Sequence, residues 1–228
     1  RHPYTTPFGK PFLWYRGKQV GGRLPVWGRM ALRMSEDDFK ATSIDGYGID
    51  WPLTYQELAP YYERIEMFLG LWGTKEGLSQ LPDGFYSKKL ALNHMEERFK
   101  AAVEAEWPEI RVIPPRIVQP EMETTPKPLK AALETGRLTL RPNAMVTAVL
   151  MERNGRRARG VEFIDRLTRQ RHEALANIVV LCASTIESVR ILLNSAGSNH
   201  PGGLGNASNK LGRGLMDHCI SLLFGRVS

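Results

Sequence analysis

The sequence predicts an α/β (α+β) fold in which an antiparallel meander feeds a strand–turn–helix of the nucleotide-binding type. Three observations carry that reading. Ile178–Leu181 is a continuous apolar run, as a strand buried on both faces needs. The small residues Ala183 and Ser184 follow, and then Ile186, Val189, Ile191, Leu192 and Leu193 recur with a helical pattern. Upstream, Met145–Met151 and Arg159–Ile164 flank Asn154-Gly155, the strongest short hairpin signal, and His172–Ala176 supplies a third strand. A small-residue turn between strand and helix lets a phosphate or cofactor approach the backbone at a helix N-terminus. An ordinary strand–helix junction offers the same pattern with no ligand.

Taken in order, residues 1–30 are rich in Gly, Pro and aromatics and show no period. A Gly21-Gly22 pair allows positive φ and close backbone approach. So many large apolar groups predict that this loop packs on something flat, either the protein's own core or a ring system. Ser35-Glu36-Asp37-Asp38-Phe39 starts a short helix with acids in its first turn. Asp45–Pro52 is a turn-rich connector. Thr54 and Glu57 form a capping box for a helix ending near Gly70, with Leu58, Tyr61, Tyr62, Ile65, Phe68 and Leu69 as its core stripe. Leu71–Lys89 reads as loop. Asn93–Trp107 is a helix capped by Asn93 and Glu96, with Met95, Phe99, Ala102 and Val103 inward. Ile110–Val118 is a strand interrupted by Pro114-Pro115, and Lys127–Thr135 is a helix closed by Gly136. From Arg137, with Leu138-Thr139-Leu140, the texture becomes strand. Beyond the last helix come a glycine-rich loop, Gly202–Asn209, a short turn or helix at Leu211–His218 and a strand starting at Ile220–Phe224.

The chain has 228 residues, 42% hydrophobic and 24% charged, which is the composition of an ordinary globular protein. No apolar run approaches the roughly 18 residues a membrane-spanning helix needs. The opening R-H-P-Y-T-T-P-F-G-K, without a methionine, reads as mid-protein loop, so the sequence is expected to be an interior piece and the compartment stays open, cytoplasmic or periplasmic. A net charge of +7 raises the question of an anionic partner. The densest cluster holds seven arginines, Arg153, Arg156, Arg157, Arg159, Arg166, Arg169 and Arg171, at two predicted turns with Glu152, Glu162 and Asp165 interleaved. That pattern favours a solvated surface over a nucleic-acid interface. A non-catalytic module binding anionic polymer through Arg153–Arg171 is the alternative. Cys182 and Cys219 have no metal-ligand or disulfide spacing, and Cys182, closing the apolar run, reads as a packed thiol.

Four stretches, in this order, resemble the glucose–methanol–choline (GMC) oxidoreductases, FAD enzymes that oxidise alcohols and sugars. Arg16-Gly17-Lys18-Gln19-Val20-Gly21-Gly22 looks like the family's R-G-x-x-x-G-G loop along the flavin. W-P-L-T-Y-Q-E-L-A-P-Y-Y, from Trp51, looks like its W-x-Y-x-E-L-x-P-Y-Y helix. Asn143-Ala144-Met145-Val146 looks like its N-A-x-V, whose valine backbone meets the adenine. Cys182–Ser188, running on to Gly212-Arg213-Gly214-Leu215-Met216-Asp217-His218, resembles its strand–turn–helix and its G-R-N-L-x-D-H ending. The branch most resembled is the bacterial sugar-dehydrogenase group with gluconate dehydrogenase large subunits, pyranose oxidases and glycoside 3-dehydrogenases.

The resemblance implies an FAD/NAD(P)-binding Rossmann-like domain with a partial substrate-binding domain. Residues 1–50 and 126–216 would be flavin-domain parts, 51–125 a mostly helical substrate-side insertion, and 217–228 the start of the substrate-domain sheet. It implies Gly21, Gly22, Leu24, Trp27, Gly28, Val146, Ala183 and Ser184 as cofactor-binding residues. In covalent members the residue before the tryptophan is a flavin-linking histidine; here it is Val26, so non-covalent FAD is expected. Substrate would be a sugar or alcohol, with a quinone, cytochrome or small partner subunit as electron acceptor. The family's N-terminal G-x-G-x-x-G strand is missing. So is its catalytic His-His or His-Asn pair, expected C-terminal to this chain, and the fragment alone is expected to be inactive. Of the five histidines, His218 matches the structural D-H, His94, His172 and His200 fall in caps or loops, and His2 lies near the edge. Ser184 replaces the usual glycine.

Overall fold

The computed structural model describes residues 4–14, 16–118 and 125–215. His2, Asp217, His218, Cys219 and the strand expected at Ile220–Phe224 lie outside the described residues. Among the described residues the fold is mixed α/β with two three-stranded sheets, one in each of two compact units, Arg1–Leu138 and Thr139–Ser228.

Unit 1 takes its helices where the caps are written. Helix α1 (Glu36–Phe39) starts at Ser35, whose hydroxyl accepts from the Asp38 N–H while the Asp38 carboxylate accepts from the Ser35 N–H. A short α2 (Ala41–Asp45) follows. Helix α3 (Tyr55–Leu69) has the Thr54/Glu57 capping box and stops where Gly70 turns left-handed at φ 74°. Helix α4 (His94–Glu106) is capped by Asn93, whose side chain accepts from the N–H groups of Met95 and Glu96. Helix α5 (Lys127–Glu134) is followed by Gly136 at φ 65°.

Leu71–Lys89, expected as loop, holds two short strands. Strand β1 (Leu71–Gly73) lies between a parallel β2 (Lys88–Lys89) and an antiparallel β3 (Ile117–Val118). Strands of two and three residues leave no alternation to read. Pro114-Pro115 confines the third strand to its last two residues, since proline lacks the ladder donor.

The core of unit 1 differs from the expected apolar stripes. Tyr61 and Ile65 of α3 are 62% and 56% exposed, and Met95 and Phe99 of α4 also face outward, whereas Glu66 is buried. Arg33 decides this. Its guanidinium donates from Nε to Glu66 Oε1 at 2.7 Å, from Nη2 to Glu66 Oε2 at 2.6 Å, and from Nη1 to the Tyr55 hydroxyl at 2.9 Å. Glu66 Oε2 also accepts from the Phe85 N–H at 2.8 Å. Tyr55, Tyr62 and Glu66 share one helical face, so satisfying the charge turns the other face outward. The pair with Glu66 holds the Arg33 guanidinium even further above its ordinary pKa. A second buried cation, Arg116, donates to the carbonyls of Leu81 and Pro82 and to Asp83 Oδ1 at 2.9 Å.

Unit 2 is a meander in the order β4 (Ala144–Met151), β5 (Ala158–Asp165), β6 (Arg171–Leu175), antiparallel throughout. The Asn154-Gly155 turn forms as expected, with Gly155 at φ 68°. Gly160 is required, because a Cβ there would sit 2.1 Å from the Ala174 carbonyl oxygen. Helix α6 (Thr185–Asn194) packs on β4, and Val149, Phe163 and Ile191 form the core.

Three expectations fail in unit 2. Ile178–Leu181 is not a paired strand among the described residues, and Ile178 and Val180 are 79% and 75% exposed. The run is extended in tendency but has no neighbour to complete a ladder. Cys182, at its end, is therefore exposed and not a packed thiol. Leu138-Thr139-Leu140 carries alternation but no strand, since β4 begins only after Asn143 takes φ 60°.

Two outcomes are expected. Glu66→Ala strips a buried guanidinium of its counter-ion and leaves the Phe85 N–H unpaired, costing about 3–5 kcal/mol; urea unfolding should show a lowered midpoint, while Arg33→Met/Glu66→Leu restores much of it. The second concerns Glu162, whose carboxyl is held below the ordinary value, first by the Thr147 hydroxyl and then by Arg171. Its contribution is therefore complete above the ordinary glutamate value of about 4 and is lost as pH falls through the lowered one. Glu162→Gln should flatten the acid limb of unfolding midpoint against pH.

Candidate functional site at the head of α6

Ser184 precedes α6 with φ 69° and ψ 161°. That region of backbone space is essentially reserved for glycine, because any Cβ is crowded there. The first intrahelical bond runs from the Ser188 N–H to the Ser184 carbonyl at 2.9 Å. The N–H groups of Thr185, Ile186 and Glu187 thus precede it, and the Ser184 side chain caps none of them. Glu187 places a carboxylate in this first turn, but its Oε2 accepts from Arg190 Nε at 2.6 Å. The first-turn N–H groups of Thr185 and Ile186, the positive end of the helix dipole and an acid paired with Arg190 suit an anionic group such as a cofactor phosphate.

Arg190 also donates from Nη2 to the Val146 carbonyl at 3.1 Å, so the α6 head and Val146 are brought into one arrangement within unit 2. A carbonyl oxygen has a second lone pair, which leaves Val146 able to accept from a ligand as well. Further along, Ser195 accepts the Val149 N–H at 2.8 Å and donates to the Ile191 carbonyl at 2.6 Å. Ala183 is half-buried beside Ser184.

The remaining expected cofactor residues belong to unit 1. Gly21 and Gly22 both have positive φ, 95° and 63°. The Gln19 side chain donates to the Gly22 carbonyl at 2.6 Å, and a Cβ on Gly21 would meet Pro25 and Pro126 at 3.1 Å. Leu24 opens a single 3-10 turn ending at Val26; Trp27 is half-buried and Gly28 exposed. Of this loop's large apolar side chains, Val20 and Val26 are 51% and 61% exposed, so among the described residues they are not packed into a core of their own.

Sequence reasoning missed Arg190 and Ser195. A Glu187–Arg190 spacing of three on one helix was the available signal for the first. Nothing local marks Ser195, because its partner lies on β4. The arginine cluster splits as expected between two turns, and Arg159 pairs with Glu173 and Arg171 with Glu162, each at 3.0 Å. His172 stacks on Phe163, His200 Nε2 bonds the Gly155 carbonyl, and His94 opens α4 exposed. No helix of the described residues is long and apolar enough to cross a membrane.

A meander delivering its chain to a helix head with a glycine-type backbone is an arrangement that a cofactor phosphate can approach. The comparison with known sequences makes this specific: the chain belongs to the GMC oxidoreductase family, whose model matches residues 5–220. Membership in that family implies FAD binding. Among curated relatives, 2-methyl-1,2-propanediol dehydrogenase of Mycolicibacterium austroafricanum is 29% identical over 96% of this chain and 43% of its own length. Fructose dehydrogenase large subunit of Gluconobacter japonicus is 29% identical over 88% of this chain and 41% of its own. Paromamine 6'-oxidase of Streptomyces fradiae is 29% identical over 86% and 40%. The chain thus spans about two-fifths of the length of these relatives.

Ser184→Gly should stabilise the protein. The strain relieved is about 1–3 kcal/mol, and glycine's freer unfolded chain takes back about 0.4–1 kcal/mol. A gain near 1 kcal/mol corresponds to a rise of about 2–4 °C in Tm, read by calorimetry.

Proposed function

We propose that this chain is the flavin-binding part of an oxidoreductase acting on CH–OH groups of a sugar or alcohol. Family membership across residues 5–220 supports the class. The observation that carries the reading to particular residues is the glycine-type backbone at Ser184, leading into a helix that the Ser184 side chain does not cap. The relatives' names include a propanediol dehydrogenase, a fructose dehydrogenase and a paromamine oxidase, which supports an oxidisable hydroxyl as the substrate group.

In this proposal the domain is Rossmann-like, with flavin-domain parts at 1–50 and 126–216, a substrate-side insertion at 51–125 and the start of a substrate-domain sheet at 217–228. Bound FAD would supply a two-electron acceptor for hydride leaving the substrate carbon. The α6 head, through the Thr185 and Ile186 N–H groups, holds the phosphates, with Ala183 and Ser184 giving backbone access. Val146 meets the adenine through its backbone, held by Arg190. Gly21, Gly22, Leu24, Trp27 and Gly28 line the flavin, their loop free to pass close to a ring system. Val26 has no nucleophilic atom, so it cannot form a flavin bond and attachment is non-covalent. The base that takes the hydroxyl proton is assigned to none of His94, His172 or His200, each occupied or placed as described. A quinone, a cytochrome or a small partner subunit completes turnover by accepting the electrons.

The test is the visible spectrum of the full-length protein purified natively. Flavin bands that bleach with glucose or a diol, and colour that leaves the protein on acid precipitation, are the expected results. Absence of any flavin, with none taken up from added FAD, sinks the oxidoreductase reading; colour retained by the precipitate sinks only the non-covalent one.

A further inference from the structure

The meander of unit 2 has two edges, and they differ. The outward side of β4 is engaged from α6, where Arg190 donates to the Val146 carbonyl and the following Ser195 accepts the Val149 N–H. The outward side of β6 has no partner among the described residues. The ladder decides which groups lie there. The Asp165 N–H donates to the Gln170 carbonyl and the Ala176 N–H to the Arg159 carbonyl, each at 3.0 Å. Phe163 faces His172 and Val161 faces Ala174 between them, so hydrogen-bonded pairs fall at positions 170, 172, 174 and 176. Arg171, Glu173 and Leu175 therefore direct their N–H and C=O groups away from β5. Such a row of unpaired donors and acceptors is a template for another strand.

The common guards of an edge are absent from β6, which has neither proline nor lysine and pairs regularly with β5. Its two charges have opposite signs, stand two residues apart on one face, and are both exposed. A second copy adding its β6 to this one across a two-fold axis must run antiparallel. Among registers that bring outward groups together, centring on Arg171 or on Glu173 sets like charges directly opposite, which is destabilising. Shifting toward Leu175 leaves both charges opposite uncharged residues. Centring on His172 sets Arg171 opposite Glu173 of the partner subunit, and the symmetry repeats the pair. Each such pair exchanges both main-chain hydrogen bonds.

The side chains have capacity for this. Arg171 gives Nη1 to Glu162, leaving its Nε and Nη2 hydrogens for a further acceptor. Glu173 accepts two bonds from Arg159, and a carboxylate has about four acceptor sites. Arg159, Glu173, the partner's Arg171 and the partner's Glu162 would then alternate in sign along one face.

We propose that β6 joins β6 of a second copy, antiparallel and centred on His172, so that two meanders form one continuous sheet. One short strand from each copy is a contact at the low end of specific interfaces, so the dimer is weak and reversible. Sedimentation velocity of the full-length protein over about 1–100 µM tests it, with a concentration-dependent monomer–dimer equilibrium expected. Raised salt should shift that equilibrium toward monomer. Arg171→Glu and Glu173→Arg each set like charges opposite and should weaken association about tenfold. Mixed in equal amounts, these two variants regain opposite charges at both pairs and should form a heterodimer of near-parental affinity. Glu173→Gln, a neutral change at an exposed position, should weaken association about threefold. A parent that stays monomeric throughout, or association unchanged in all three variants, overturns the proposal. So does a mixture of the two charge variants, both shown folded by circular dichroism, that yields no heterodimer. None of these outcomes depends on the flavin reading.

Discussion

Helix α6 is fastened to strand β4 from its middle and from its C-terminal end, and the candidate site depends on that fastening. From mid-helix, Arg190 reaches the Val146 carbonyl; at the tail, Ser195 takes the Val149 N–H. Both bonds use the outward side of an edge strand, since β4 has β5 on one side only and its outward N–H and C=O groups have no ladder partner. The register between β4 and β5 shifts between Val146 and Ala148, so Thr147 is the extra residue of a bulge and its hydroxyl turns to Glu162. A bulge changes which backbone groups beside it face outward. Outward groups need partners from elsewhere, and α6 supplies them for Val146 and Val149. The position of the helix head relative to Val146 is thereby set by hydrogen bonds, and the apolar contact of Ile191 with the sheet adds packing without direction.

Unit 1 is arranged by buried charge. Two guanidinium groups, those of Arg33 and Arg116, are almost wholly enclosed, and each draws acceptors from stretches far apart in sequence. A buried pair gives little net stability against a hydrophobic substitute, yet removing one partner is expensive. Its main effect is geometric. The Arg33 fork fixes α3 against the 84–85 backbone, and Gly84 is small enough to permit it, since a Cβ there would lie 2.6 Å from Glu66 Oε1.

What was legible in the sequence was local. Ser35, Thr54 and Asn93 act within three residues of themselves, and Asn154-Gly155 turns the chain on its own, so all four were read correctly. Burial was not legible, because it depends on what stands opposite. A glutamate at Glu66 reads as a solvent position until Arg33 is known to face it, and Ile178–Leu181 reads as a buried strand although nothing among the described residues pairs with it. The site shows the same division. Ala183-Ser184 before a helix was visible as a pattern; the bond that ties Val146 to that helix spans 44 residues and was not.

The surplus of positive charge illustrates why composition is a poor guide to partners. Arg153, Arg156 and Arg157 sit at the turn before β5, and Arg166 and Arg169 at the turn after it. An eight-residue strand separates them, roughly 25 Å at the usual rise per residue. Charges that far apart, at a screening length of about 8–10 Å, do not act as one field. Between the turns, Arg159 and Arg171 are taken by Glu173 and Glu162, and Arg141 lies over the Phe163 ring with Asp165 beside it. A continuous stripe of free cations, which phosphate backbones require, is therefore absent from the described residues of this sheet. The arginines here serve the meander: they neutralise acids across strands and keep its ends hydrated.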